Sequence, residues 1–388
     1  MFNVLVTGIT SFLTDISTEM FYPLISLYIV ALGGGPEIVG LIEGIAESLT
    51  SLLKVFSGNI SDKIKKRKPI AILGYSFAPI GKIIMYFANS WLFILIGRIL
   101  DRVGKGIRTA PRDALIAESV KENRGRAFGL HRTMDTLGAF FGVLFAILIL
   151  KNFELEKLNG GSTVVKNYLP IFKNILLISL IPAIIGVLIL LLVKDTTGET
   201  LGKKLIFNFK LLPNKLKKFL LVTLIFTLGN SSNQFLLLRA KTIGFSIISI
   251  LFLYLVFNIT YALLSYPLGR LSDKVGRKWI IVSGYIIYGL VYVLFAVTKS
   301  FLYIYFIFAI YGLYMAFTEG VEKAYISDIA PKDFKATVIG LHATLVGIGL
   351  FPASFIAGIM WKYIAPEATF IFGGVMGLLA AILMTIVL

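Results

Sequence analysis

Cysteine is absent from the 388 residues, and histidine occurs only as His131 and His342. Disulfides, thiolate metal sites and the ordinary zinc constellations therefore drop out, and neither a metal nor another cofactor is expected. Charge is sparse at 15% of residues, and lopsided, with 38 Lys and Arg against 21 Asp and Glu. What fills the chain is apolar: 57% of residues are hydrophobic, far above the share of a soluble domain. Apolar stretches of about 20 residues, enough to cross a hydrocarbon layer of roughly 30 Å as helix, recur from end to end. The first of them lacks a basic leader and carries Asp15 and Glu19 midway, so a cleaved signal peptide is not expected.

The formal charge of +17 invites a nucleic-acid reading, but the placement of the cations opposes it. They cluster in alternate loops: Lys63 to Lys68, then Lys121, Arg124 and Arg126, then Lys203 to Lys218, then Arg270 to Lys278. The turns between, around Gly33 to Glu37, Ala88 to Ser90 and Thr298 to Ser300, are almost uncharged. Basic loops stay on the cytoplasmic side, which puts both termini inside a cytoplasmic membrane crossed an even number of times. The partners expected are the lipid bilayer, with anionic headgroups near the basic loops, and no nucleic acid.

The apolar pattern predicts twelve helices, near 4–32, 37–60, 69–88, 91–117, 126–150, 170–193, 217–240, 245–268, 278–297, 300–327, 334–362 and 367–388. Residues 1–193 form an N-terminal six-helix bundle, the Lys-rich stretch 194–216 a cytoplasmic linker, and 217–388 a C-terminal six-helix bundle. The halves repeat. Gly58-Asn-Ile-Ser-Asp62-Lys63 returns as Gly269-Arg-Leu-Ser-Asp273-Lys274, and Gly129-Leu-His131 as Gly340-Leu-His342. Both pairs share one offset, since 269 − 58 = 211 and 342 − 131 = 211, as a parallel repeat requires.

Polar residues within the helices have a period of three helices. The first carries Asp15 and Glu19; the fourth Arg98, Asp101, Arg102, Lys105 and Arg108; the seventh Asn230, Ser231, Asn233 and Gln234; the tenth Glu319, Glu322 and Lys323. Helices three, six, nine and twelve have little beyond Lys82. A charge facing lipid costs roughly 2.5–3.5 kcal/mol even on the mildest scale, so helices one, four, seven and ten must face protein or water.

This organisation resembles the major facilitator superfamily, an all-α membrane fold of twelve helices in two pseudo-symmetric six-helix halves around a central cavity. The family's Gly-x-x-x-Asp-Arg/Lys-x-Gly-Arg/Lys-Arg/Lys loop motif is matched in full by Gly269 to Lys278, and by Gly58 to Arg67 with Lys65 in place of glycine. Arg102-Val-Gly-Lys105-Gly106 is similar to its helix-four Arg-x-x-Gln-Gly motif. At the helix-five antiporter motif, where Gly-Pro is usual, Gly142 is followed by Val143. The resemblance implies a cytoplasmic latch in each half: Gly58, Asp62 and Lys66 with Glu118, and Gly269, Asp273 and Arg277 with Asp328.

At 1.5 Å per residue, Asp15 and Glu19 lie about 16 and 22 Å from the inner face; Glu47, Arg98 and Arg102 lie about 13, 11 and 17 Å from the outer one. Asp15 and Glu19 are spaced i, i+4, as are Glu43 and Glu47, and the helix-four charges share one face. These carboxylates either bind a proton or cation and exchange partners with the arginines, or form a permanent ion-pair lock between helices one, two and four. Asp15, Glu19, Glu47, Arg98 and Arg102 are the candidate substrate and coupling residues of the first half. Asn230, Asn233, Gln234 and Asn258 are those of the second, where the offset sets Asn230 against Glu19 and Asn258 against Glu47. Tyr254, Tyr261, Tyr311 and Tyr314 could add aromatic surface, although such spacing also suits helix packing.

The function expected is secondary active transport of a small solute by alternating access, coupled to a proton or another ion, by a monomer. Export of a drug-like or metabolite compound leads; uptake or exchange of an organic anion on Arg98 and Arg102 is the alternative. A non-transporting receptor or lipid-handling enzyme on the same fold is remote, since two separated histidines without cysteine make a poor catalytic constellation.

Overall fold

The computed structural model describes residues 1–64, 66–120, 124–157, 168–195, 212–331 and 335–388. Every regular element among them is helical. The first unit, Met1–Gly202, contains α1 (Phe2–Glu19), α2 (Ile25–Ala31), α3 (Pro36–Ile64), α4 (Lys68–Tyr86), α5 (Trp91–Glu118), α6 (Arg124–Lys157) and α7 (Leu169–Leu190). The second, Lys203–Leu388, contains α8 (Asn214–Gly229), α9 (Gln234–Ile243), α10 (Ile247–Val275), α11 (Arg277–Val297), α12 (Phe301–Ile329), α13 (Lys335–Tyr363) and α14 (Pro366–Val387). Of the linker expected at 194–216, residues 196–211 lie outside the described residues.

Among the described residues, nine helical spans are long and apolar enough to cross a membrane. The other crossings are α1 with α2, α3 and α5, whose polar and charged residues dilute their apolar character. With α1 and α2 counted as one crossing, and α8 and α9 as another, the fourteen helices make 14 − 2 = 12.

Helices one and seven are interrupted where the sequence expectation runs each unbroken. Helix one, expected unbroken over 4–32, stops at Glu19 and passes through a 3-10 turn, Tyr22–Leu24, before α2. Pro23 within that turn has no N–H to give and its ring obstructs the preceding turn. Helix seven, expected over 217–240, stops at Gly229 and restarts at Gln234. Inside a membrane the freed backbone groups need protein partners. Tyr288 donates to the Gly229 carbonyl at 2.7 Å, Tyr292 to that of Ser231 at 3.5 Å, and the Ser232 amide donates to Ser354 Oγ at 3.1 Å. Helix five also continues past the expected 150 to Lys157, with no glycine or proline in between to stop it.

The breaks fall at equivalent places, since 230 − 19 = 211 and 233 − 22 = 211. The next turn keeps the correspondence. Tyr28 donates to the Met85 carbonyl at the end of α4 at 2.8 Å. Arg239 donates to the Phe295 and Ala296 carbonyls at the end of α11, at 3.2 and 3.0 Å. Again 239 − 28 = 211 and 296 − 85 = 211. Different side chains thus close the same helix terminus in each unit, and Arg239 also ion-pairs with Glu367 at 2.8 Å.

Small residues bring the helices of each unit together. A Cβ at Gly81 of α4 would lie 2.5 Å from the Gly97 carbonyl oxygen of α5, and one at Gly97 would lie 2.6 Å from that of Gly81. On α6, a Cβ at Gly138 would meet the Phe12 carbonyl oxygen at 2.4 Å, and one at Gly142 that of Ile16 at 2.6 Å. This close approach presses α1, with Asp15 and Glu19, against α6.

Candidate functional site: a buried charge network in the first unit

Five charged side chains from α3 and α5 form one chain of contacts. Arg98 donates from Nε and Nη2 to the two carboxylate oxygens of Glu43, each at 2.9 Å, with side-chain exposures of 2% and 0%. This is the parallel two-bond fork that best fits a guanidinium to a carboxylate. Asp101 bridges the arginines, 3.4 Å from Arg98 Nη1 and 3.2 Å from Arg102 Nε. Arg102 reaches Glu47 at 3.3 Å, and there the network opens, because the Glu47 side chain is 31% exposed. Tyr22, brought in by the break after α1, lays its ring 5.3 Å from the Arg98 guanidinium and 5.7 Å from that of Arg102.

The sequence placed Arg98, Arg102 and Glu47 in one site, and the structure brings them together. It adds Glu43 as the principal partner of Arg98, which the i, i+4 spacing with Glu47 signals, and Tyr22, which only the helix break reveals. Lys82 of α4 is buried and bonds Ser17 of α1. It lies within electrostatic reach of Asp101 and Glu19.

Asp15 stands in a different neighbourhood. It is half-buried, in the field of Lys105, Arg108, Arg112 and Arg132, yet among the described residues it makes no hydrogen bond or ion pair. Around it runs a second polar group. Ser11 Oγ meets the Tyr75 hydroxyl and His131 Nε2, each at 2.9 Å, and accepts from Arg112 Nη1 at 3.3 Å. His131 Nδ1 faces Asp135 at 3.5 Å, and Arg112 forks onto Asp113 at 2.8 and 3.0 Å. Arg108 lies over the Tyr75 ring at 4.3 Å.

In the second unit the polar candidates serve the backbone break. Asn230 ends α8 and Asn233 begins α9, where its side-chain oxygen accepts from Tyr311 at 2.7 Å. Gln234 is fully buried. Asn258 is half-buried and donates to the Tyr254 carbonyl one turn back at 2.8 Å. Tyr254, Tyr311 and Tyr314 are buried, the last two packed with Tyr288 and Tyr292 in one aromatic cluster. Tyr261 is half-buried and bonds Glu319. His342 faces Glu322 at 3.3 Å, and Tyr285 donates to Glu322 at 2.9 Å.

At the loops where a latch is expected, the two units form ion pairs at different positions. Arg277 pairs with Asp273 at 3.0 Å and Asp328 at 2.7 Å, just past Gly276, whose φ of 98° suits glycine. In the first unit Lys66 is exposed, and the next residue, Arg67, takes Glu118 at 3.1 Å and Ser61 at 2.8 Å. Both partners move by one: Arg277 corresponds to 277 − 211 = 66 and Asp328 to 328 − 211 = 117, whereas the pair formed is 67 with 118. The side chain of Asp62 lies outside the described residues, Gly58 packs near Ala110, and Gly269 has open space around it.

Comparison with known proteins agrees with this architecture. The family profile described as the Major Facilitator Superfamily matches residues 7–228 and again 219–388. The uncharacterized MFS-type transporter MJ1317 of Methanocaldococcus jannaschii is 39% identical over 98% of this chain and 94% of its own. The multidrug resistance protein MdtH of Blochmanniella pennsylvanica is 32% identical over 36% of this chain and 35% of its own. A crystal structure of a variant of the nucleoside transporter NupG shares the fold with a TM-score of 0.79 at 14% identity, covering 99% of each chain. With the duplicated six-helix unit, the loop motifs of both halves and a profile match in each, the chain belongs to the Major Facilitator Superfamily.

Proposed function

We propose that this membrane transporter is a proton-coupled secondary active carrier of a small solute in the cytoplasmic membrane, with Glu47 and Arg102 as its exchangeable ion pair. The observation that carries this reading is the gradient of exposure along the network. Glu43 and Arg98 are sealed, while Glu47 is 31% exposed and shares Arg102 with Asp101. Protonation of Glu47 frees Arg102 to pair with Asp101 alone, which gives the unit two pairing states that a proton can bias. A cationic or lipophilic solute would compete for Glu47 in the same way, and export is the direction favoured, in keeping with the multidrug resistance relative. The family match and the structural neighbours are transporters, which are generally not enzymes.

The test is solute-driven proton movement in proteoliposomes, followed with an internal pH dye. Wild-type protein is expected to move protons when a transported solute is added, and Glu47→Gln to move the solute without protons or not at all. Proton-linked transport undiminished in Glu47→Gln would rule out this assignment.

The organic-anion reading has its own support, at different residues. Arg98 and Arg102, its candidates from sequence, are already engaged by three carboxylates. Among the described residues, cations without such partners lie one to two turns further along α5.

A further inference from the structure

Arg108 combines burial with the absence of an acceptor. Its residue exposure is 5%, and among the described residues it has no ion pair and no hydrogen bond, with Nη1 fully enclosed. A guanidinium always carries its charge, and enclosing one without an anion is costly enough that proteins normally supply a carboxylate. Here the α5 carboxylates are used elsewhere, Asp101 by Arg98 and Arg102, and Asp113 by Arg112. What Arg108 does have is a platform. Its guanidinium carbon sits 4.3 Å from the centroid of Tyr75, whose hydroxyl is fixed by Ser11, which His131 and Arg112 hold in turn. Stacking on a ring face occupies the plane of a guanidinium and leaves its N–H edge for a planar, two-oxygen acceptor.

Resting on the transporter reading above, we propose that Arg108, with the exposed Lys105 one turn away, is an oxyanion subsite for a carboxylate or phosphoryl group of the solute, and that Asp15 gates it. Asp15 faces Lys105, Arg108 and Arg112 from α1 without touching them, and Arg132 and Asp135 from α6 lie in the same field. Tyr75 and Lys82 of α4, His131 of α6, Asp101 and Asp113 of α5 and, towards Lys105, Glu47 and Lys54 of α3 are the other titratable groups that the described residues bring near this cluster. While ionised, Asp15 is the counter-charge of Arg108 and repels a second anion. Once protonated it leaves Arg108 uncompensated, and an oxyanion takes over that role. Proton and anion therefore favour each other's binding, and the anion binds better at acidic pH. The subsite is separate from Arg98 and Arg102.

The experiment is thermal unfolding of the purified, detergent-solubilised chain with benzoate or inorganic phosphate against chloride at matched ionic strength, at one mildly acidic and one mildly alkaline pH. Stabilisation by benzoate is expected if the solute is a carboxylate, by phosphate if it is a phosphoryl compound, and in either case more at acidic pH. Arg108→Gln should lose the shift, Arg108→Lys should keep part of it, and Asp15→Asn should hold it at both pH values. Absence of a shift with both probes overturns the proposal, as does a shift that Arg108→Gln leaves unchanged, or a pH dependence that survives in Asp15→Asn. Should Arg108→Gln not fold, the wild-type and Asp15→Asn comparison decides alone. Proton-linked transport of a neutral or cationic solute without any oxyanion binding would sink this subsite and leave the carrier reading standing. Oxyanion binding without proton-linked transport would do the reverse.

Discussion

Replacing Glu43 by Gln leaves the Arg98 guanidinium enclosed with half its fork unmatched, because neither side chain reaches solvent. Breaking such a pair costs about 3–5 kcal/mol, so Glu43→Gln should lower the unfolding midpoint strongly. Glu47→Gln removes a carboxylate that is 31% exposed and shares Arg102 with Asp101. Its stability cost should stay below about 1 kcal/mol, the range of exposed pairs, while proton-linked transport is lost. Thermal unfolding and transport measured on both variants check this opposition, which would fail if the two lost stability equally. Sequence spacing placed these acids and arginines on facing sides of two helices. It left open which acid is sealed and which is reachable, because that depends on how deeply α3 and α5 interlock. The isolation of Arg108 was equally hidden, since a missing partner has no sequence signature.

The breaks in helices one and seven show where local sequence and membrane physics meet. The run Asn230-Ser-Ser-Asn233 and the proline at 23 were both legible as polar or irregular positions, but hydropathy carried each helix across them. What makes the break tolerable is remote in sequence: the hydroxyl of Tyr288, 59 residues away, satisfies the Gly229 carbonyl. Tyr288→Phe should therefore destabilise by about 1 kcal/mol, the worth of one such bond, with the fold retained, as read from its thermal midpoint. The α4 to α5 contact is less forgiving. Gly81→Leu would drive a side chain into the Gly97 carbonyl, and overpacking of this kind costs typically 1–3 kcal/mol, measurable as loss of folded protein in detergent.

For the protein as a whole, the 211-residue repeat read from two short motifs extends to elements no motif marks. The helix breaks and the closure of α4 by Tyr28 and of α11 by Arg239 follow it. Where copies diverge, as in the latch pair displaced by one residue, geometry has been kept while identity drifted, which sequence matching alone could not register. The basic loops predict the orientation. The chain has no cysteine, so single substitutions report it cleanly. Lys66→Cys should react with a membrane-impermeant thiol reagent only from the cytoplasmic side, and Asn89→Cys only from outside; the opposite pattern would invert the topology.

The most direct measurement is proton flux into proteoliposomes driven by an outward or inward solute gradient, recorded for wild type beside Glu47→Gln. Flux that depends on solute in wild type and vanishes in Glu47→Gln is the expected result. Solute movement that never carries protons, or flux that Glu47→Gln leaves intact, would contradict a proton-coupled carrier that works through this ion pair.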